Sequence, residues 1–235
     1  MAKGSARVEI LAVSPKGNKE KADAVIQEEA VVVRTGGEVH EFHCLPTNLE
    51  EMILGNLKSR GRDVPFSAIR KIAPDEFEVD LPPAAKSPPK RLSRKKITPE
   101  EVFAAVRLLD ENSPLFKKTG GAHVIGICGD KKVFVEDTSR HCAIDKAIGL
   151  AMREGIDLSR SFLVASCRQT ATTLKKVILS QIPIVISLSA PTSLAVKEAR
   201  RHEITLIGFA TQEKFNVYSH PWRVKTQAIS SSREP

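Results

Sequence analysis

Residues 136–149 read EDTSRHCAIDKAIG and gather Glu136, Asp137, Arg140, His141, Asp145 and Lys146 around the thiol of Cys142. Acids, bases and a nucleophile at this spacing suit anion binding, proton transfer or thiol chemistry; equally, they suit a solvated turn. Two other short stretches share the character, SCRQT at 166–170 and SAPTS at 189–193. Each follows an apolar run that reads as a strand and precedes a run of helical period. In open α/β sheets ligands bind beyond the carboxyl ends of the strands. The unpaired N–H groups and dipole of a helix start favour anions there. Arg140 and Arg168 stand where a phosphate oxygen could be held bidentately. Ser139, Ser166 and Thr192 read either as ligand contacts or as helix caps, and Ser189 opens the third junction. His123, after Gly120-Gly121, is a site residue or a ring packed on glycines. Three such junctions on one sheet edge, two with arginine, favour a phosphorylated ligand.

The thiols are ambiguous from sequence. Cys142 and Cys167 are expected in the first turns of their helices, where the dipole lowers a thiol's pKa; the alternative role is that of a small buried hydrophobe. A zinc deaminase site would need a Glu two residues after its His and a P-C-x-x-C further on. Position 143 is Ala and position 170 is Thr, so no metal is expected. The four cysteines show no C-x-x-C spacing, which predicts free thiols in a reducing cytoplasm.

The elements that must position these residues follow from pattern. The 235 residues are 41% hydrophobic and 27% charged, values of an ordinary globular protein. The N-terminus lacks the apolar run of a secretory signal, and the longest apolar stretch is cut by Pro183 and Pro191, so no membrane span is expected. The net charge of +8 is concentrated in residues 86–96, KSPPKRLSRKK. Such a run reads as a solvated linker or an anion contact, and nucleic-acid binding is not expected because no recognised module surrounds it. With one Trp and one Tyr, stacking platforms for single strands are also not expected.

Upstream of the linker, EEAVVVR and VHEFHC read as strands about Gly36-Gly37, NLEEMILGNLKSRG as a helix capped by Asn48, and DEFEVDL as a strand. Downstream, TPEEVFAAVRLL opens with a capping box of Thr98 and Glu101 and has Pro99 at the first helical position. Strands and helices then alternate to the strand ITLIGF. That order predicts a three-layer α/β domain over residues 98–235 with a mostly parallel sheet, a linker at 86–97, and a smaller α+β lobe over 1–85.

The strings LFKKTGGAH, EDTSRHCAIDKAIG, ASCRQT, SLSAPTSLAV, LIGF and FNVYSHPWR resemble those of the FdhD/NarQ family of formate dehydrogenase accessory proteins. LPTNLEEMILGNLKSRG is similar to that family's upstream helix. The resemblance runs from about residue 29 to 223. It implies a cytoplasmic homodimer with a cytidine-deaminase-like α/β domain lacking the zinc. It further implies that sulfur is accepted from a cysteine desulfurase and passed to the molybdenum (or tungsten) bis(molybdopterin guanine dinucleotide) cofactor, which goes on to formate dehydrogenase. The family's cofactor-binding segment falls on Phe209, Ala210, Thr211, Gln212, Glu213 and Lys214. Asp137, Arg140 and His141 would face the ligand, with Asp145 and Lys146 a structural pair. The sequence departs in one respect that matters for mechanism. The loop where the family carries its C-G-x-C reads DLPPAAKSPPKRLSRKKITPEE here and contains no cysteine. That absence leaves Cys167 as a weak substitute for the persulfide cysteine, weakens the expected desulfurase partnership, and opens an alternative role as a cofactor carrier without sulfur chemistry.

Overall fold

The computed structural model describes residues 4–81 and 93–225. Residues 86–92 of the basic run, and with them most of the expected linker, lie outside the described residues. The chain opens with a two-stranded ribbon, β1 (Ser5–Ser14) and β2 (Gly17–Ile26). Sequence reading missed this ribbon, although Val8, Ile10 and Ala12 alternate with polar residues as a strand requires.

The lobe that follows is built as expected. β3 (Glu29–Thr35) and β4 (Glu38–Cys44) form a tight hairpin. Gly36 and Gly37 have φ of 56° and 87°, the left-handed pair that a two-residue hairpin turn needs. β5 (Ile69–Ala73) and β6 (Glu76–Val79) complete a sheet of order β4-β3-β6-β5. Helix α1 (Leu49–Lys58) lies against it, burying Met52, Ile53, Leu54 and Leu57. Asn48 does not cap α1. Its backbone is left-handed, with φ 50° and ψ 41°, and its side chain makes no capping bond.

The larger domain begins with α2 (Pro99–Glu111), where the expected capping box is present: the Glu101 N–H donates to Thr98 Oγ1 at 3.2 Å and the Thr98 N–H to Glu101 Oε2 at 2.8 Å. There follow α3 (Pro114–Thr119), β7 (His123–Cys128), β8 (Lys132–Asp137), α4 (Arg140–Arg153), β9 (Phe162–Ala165), α5 (Ala171–Leu179), β10 (Ile184–Ser187), α6 (Ser193–Arg201), β11 (Thr205–Gly208) and β12 (Asn216–Ser219). The sheet order is β12-β11-β10-β9-β7-β8. β9, β10 and β11 pair in parallel, while β7 pairs antiparallel with both β8 and β9, and β12 antiparallel with β11. β8 therefore points the same way as the parallel trio, and β7 and β12 run against it. Three layers result, as expected. Ile125, Leu163, Ala165 and Val185 face α4, α5 and α6, while Val124, Val164, Ile184 and Ile186 face α2. This alternation along fully buried strands explains their near-continuous apolar runs.

Lobe and domain meet where α1 crosses α4, and the approach is set by two glycines. A Cβ on Gly55 would overlap the Asp145 carbonyl oxygen, and one on Gly149 would overlap that of Glu51. Each backbone occupies the space a side chain would need on the other helix. The Arg153–Glu51 ion pair closes the crossing at its edge. We expect Gly149→Ala to lower stability by about 3 kcal/mol in urea unfolding, the cost of overpacking a close contact; a loss below about 1 kcal/mol would contradict this reading of the crossing.

Candidate functional site

The sheet topology brings the three polar junctions together. Because β7 runs against β8 and β9, its first residue, His123, lies opposite Asp137 at the end of β8. Ser166 follows β9, Ser189 follows β10 and Phe209 follows β11. The carboxyl edge thus carries, in spatial order, Phe209, Ser189, Ser166, His123 and Asp137, a span of roughly 19 Å at the usual strand spacing. Three helices start along it. Ser139 Oγ accepts from the Cys142 N–H at 3.4 Å, Thr170 Oγ1 from Thr173 at 3.3 Å, and Thr192 Oγ1 from Ala195 at 3.3 Å.

The three acids of the opening stretch are taken up by contacts within the protein. Glu136 accepts the Leu115 and Phe116 N–H groups at 2.9 and 2.8 Å, satisfying the start of α3. Asp137, expected to face a ligand, is wholly buried. Its Oδ2 is 2.6 Å from the Lys146 ammonium, and its Oδ1 accepts the Ser139 N–H at 2.8 Å. The expected Asp145–Lys146 pair is replaced by two pairs. Asp145 instead accepts from Lys176 at 2.6 and 2.7 Å, from Asn56 at 2.7 Å and from Ser59 at 3.0 Å. Adjacent residues on a helix point about 100° apart, so Asp145 and Lys146 could not serve one another.

The bases are left for the edge. Neither Arg140 nor Arg168 has a carboxylate partner among the described residues, unlike Arg7, Arg34, Arg70 and Arg153 but like several other arginines. Arg140 Nε is buried with no hydrogen-bond partner; Arg168 is exposed. Arg140 lies close enough to act electrostatically on His123, His141 and Cys167, and Arg168 on His123 and Cys167. His123 is held below the ordinary histidine value of 6.5 by burial and then by Arg140, against the opposing pull of Asp137. His141 is lowered by burial, then by Lys176 and Arg140. The site is therefore a cluster of neutral imidazoles and unpaired cations, short of negative charge.

The remaining candidates have mixed placements. Ser166 Oγ accepts the Val124 N–H at 2.9 Å, and Ser189 Oγ donates to the Ser166 carbonyl at 3.1 Å; Ser166 fixes the edge and caps no helix. Thr192 is a cap with its side chain exposed beside it. Phe209 is 50% exposed with φ 51°, a left-handed backbone that costs a bulky residue energy. Its N–H donates to Ser189 O at 3.3 Å, and Ala210, buried, donates to Ser187 O at 3.0 Å. Thr211, Gln212, Glu213 and Lys214 form an exposed turn closed by the Thr211 N–H donating to Lys214 O at 2.8 Å.

Cys167 is not in the first turn of α5, which begins at Ala171. It is 5% exposed, and burial pushes its thiol up to about 11 despite the nearby arginines. Two site residues were missed from sequence. Lys176 joins His141 only through the packing of α4 on α5. Gln169, wholly buried beside Cys167 with its Oε1 unpartnered, had no signal beyond the polarity of its junction. Among the described residues no group of three or more His, Cys, Asp or Glu is placed to hold a metal, and no helix is long and apolar enough to cross a membrane.

The sequence model of the FdhD/NarQ family matches residues 76–225. The chain is 30% identical over 239 residues to the Sulfur carrier protein FdhD of Bacillus pumilus, covering 87% of this chain and 91% of that one. It is 37% identical over 130 residues to the protein of the same name from Methanothermobacter thermautotrophicus, covering 55% and 52%. A crystal structure assigned to a formate dehydrogenase accessory protein from Desulfotalea psychrophila matches with a TM-score of 0.83 at 25% identity, over 94% of this chain and 100% of that one.

The lowered histidines give the site a pH signature. A histidine whose folded pKa lies below 6.5 takes up a proton more readily when unfolded. Stability is then full above pH 6.5 and is lost as the pH falls from 6.5 toward the folded value. We expect the urea midpoint to drop between pH 7.5 and 5.5, and to drop less in His123→Gln; equal drops would contradict the burial of the neutral ring.

Proposed function

The chain belongs to the FdhD/NarQ family, and on that premise we propose that it is an accessory protein of formate dehydrogenase maturation that binds the molybdenum bis(molybdopterin guanine dinucleotide) cofactor. The binding face is the carboxyl edge of the six-stranded sheet. The observation that carries this reading is the pair of arginines without carboxylate partners, Arg140 and Arg168, beside three capped helix starts. A buried guanidinium nitrogen with nothing to donate to is costly unless a ligand or water accepts from it. A pyrophosphate offers charged acceptors of the right geometry to both arginines. Thr170 and Thr192 order the helix N-termini that would face the nucleotide, and Phe209 offers an exposed aromatic surface at the far end of the edge. The cofactor is cargo, and the chain's own residues bind and orient it. We place the protein in the cytoplasm as a homodimer, with formate dehydrogenase as the client.

Sulfur transfer from a cysteine desulfurase is the family's activity, and one observation favours the alternative of a carrier that holds the cofactor without sulfurating it. All four cysteines are free and buried. Burial pushes the Cys128 thiol up to about 12 and that of Cys167 to about 11. A persulfide forms on an accessible thiolate, and neither of these presents one to a partner enzyme.

Calorimetric titration separates nucleotide binding from its absence. GDP, which shares one end of the cofactor, is expected to bind more tightly than ADP, and Arg140→Ala to weaken GDP binding by roughly 1.5–3 kcal/mol, the worth of a charged hydrogen bond. Equal affinity for the two nucleotides, or no binding, would contradict the proposal.

A further inference from the structure

The four thiols are not distributed evenly through the core. Cys167 lies in the layer between the sheet and α4, α5 and α6, and Cys128 in the layer under α2. Cys44 and Cys142 share the third core, between the lobe and α4. Cys44 is the last residue of β4, and Cys142 is the third residue of α4. Both side chains lie in that core, and each thiol acts on the ionisation of the other. The Cys142 Sγ also donates to the carbonyl of His43, the residue before Cys44, at 4.0 Å. A bridge here would close a loop of roughly 100 residues across the seam between lobe and domain. Cys44 is fully buried and Cys142 is 5% exposed, so a protein partner cannot reach the sulfurs, whereas a small solute can reach Cys142.

We propose that Cys44 and Cys142 are a redox-active pair that closes to a disulfide under a small two-electron oxidant of the hydroperoxide class, fastening the lobe covalently to the first turn of α4. The Cys142 sulfur attacks one oxygen of hydrogen peroxide. The O–O bond breaks, the thiol proton leaves with the departing oxygen as water, and Cys142 becomes a sulfenic acid. The Cys44 sulfur then attacks the sulfenic sulfur. The S–O bond breaks, the hydroxyl leaves with the Cys44 proton as a second water, and the S–S bond forms. Two thiols are oxidised, one peroxide is reduced to two waters, and an added dithiol reverses the bridge by exchange. Closing the bridge brings the two sulfurs to a bond length of about 2.05 Å.

The two thiols are unequal in the sense this order requires. The Cys44 thiol beside it holds the Cys142 thiol below its ordinary value. The same neighbour, together with burial, pushes the Cys44 thiol up. Cys142, the more exposed sulfur and at a helix start, is the attacking group, and Cys44 resolves it. The pair adjoins the candidate site, since Arg140 and His141 precede Cys142 in the same turn, but its chemistry does not depend on the ligand bound there.

Reduced full-length protein is treated with one equivalent of hydrogen peroxide, alkylated under denaturing conditions and mapped by mass spectrometry. The expected product is one linked peptide containing Cys44 and Cys142, with Cys128 and Cys167 alkylated. The melting temperature of the oxidised protein should be higher by roughly 5–10 °C and return on addition of dithiothreitol. Four alkylated cysteines, or a bridge through any other pair, would overturn the proposal. In Cys142→Ala, Cys44 should stay alkylatable after peroxide, and its oxidation there would overturn the assignment of the attacking thiol. Should that variant fail to fold, the mapping of the unaltered protein decides alone.

Discussion

Lys146 sits inside the molecule with its ammonium 2.6 Å from Asp137 Oδ2 and 2.6 Å from the carbonyl of Leu45. Both side chains of this pair are wholly buried. One buried cation thus holds three parts of the chain: the end of β8, the helix α4 and the strand end of the lobe. Removing either charge alone would strand the other in the interior at a cost of about 3–5 kcal/mol, which makes the pair a joint requirement. Its neighbours depend on it. Asp137 Oδ1 also takes the Ser139 N–H, fixing the turn from which α4 starts, and that turn aims Arg140 and His141 at the sheet edge. The glycine crossing of α1 and α4 and the Asp145–Lys176 contact with Asn56 and Ser59 fasten the same seam further along.

This division of labour explains why so many ionisable groups fall within a few residues. The carboxylates are consumed by architecture, since Glu136 satisfies α3, Asp137 holds Lys146, and Asp145 holds Lys176. The guanidiniums of Arg140 and Arg168 and the imidazoles of His123 and His141 remain along the edge, the arginines without carboxylate partners among the described residues. An edge of that kind favours an anion and has little means of binding a cation. The thiols are treated likewise: each is packed into a core, so burial and local hydrogen bonds set their reactivity.

Much of the fold was legible because short apolar strands alternating with capped helices leave few architectures open. The capping box at Thr98 and the hairpin at Gly36-Gly37 were read from local chemistry and are present for that chemistry's reasons. The reversal of β7 was not legible, since an apolar run carries no direction, yet it is this reversal that brings His123 to the edge. Asn48 has the right residue type for a cap but a left-handed backbone that turns its side chain away. The inward roles of Asp137 and Asp145 depend on Leu45, Asn56 and Lys176, each far away in sequence, and no local pattern announces them. Cys167 was misplaced because α5 starts only at Ala171, four residues after it, which leaves the thiol beyond the reach of the helix dipole.

We propose the carboxyl edge of the six-stranded sheet, with its three helix starts, as an anion-binding face. Amide chemical-shift mapping with GDP on the isotopically labelled protein tests it most directly. Perturbations are expected at residues 139–142, 168–173 and 192–195, with the opposite sheet edge around Gly129, Asp157 and Arg160, where a cavity of about 770 Å³ also opens, left undisturbed. Shifts confined to that opposite cavity, or none at saturating nucleotide, would contradict it.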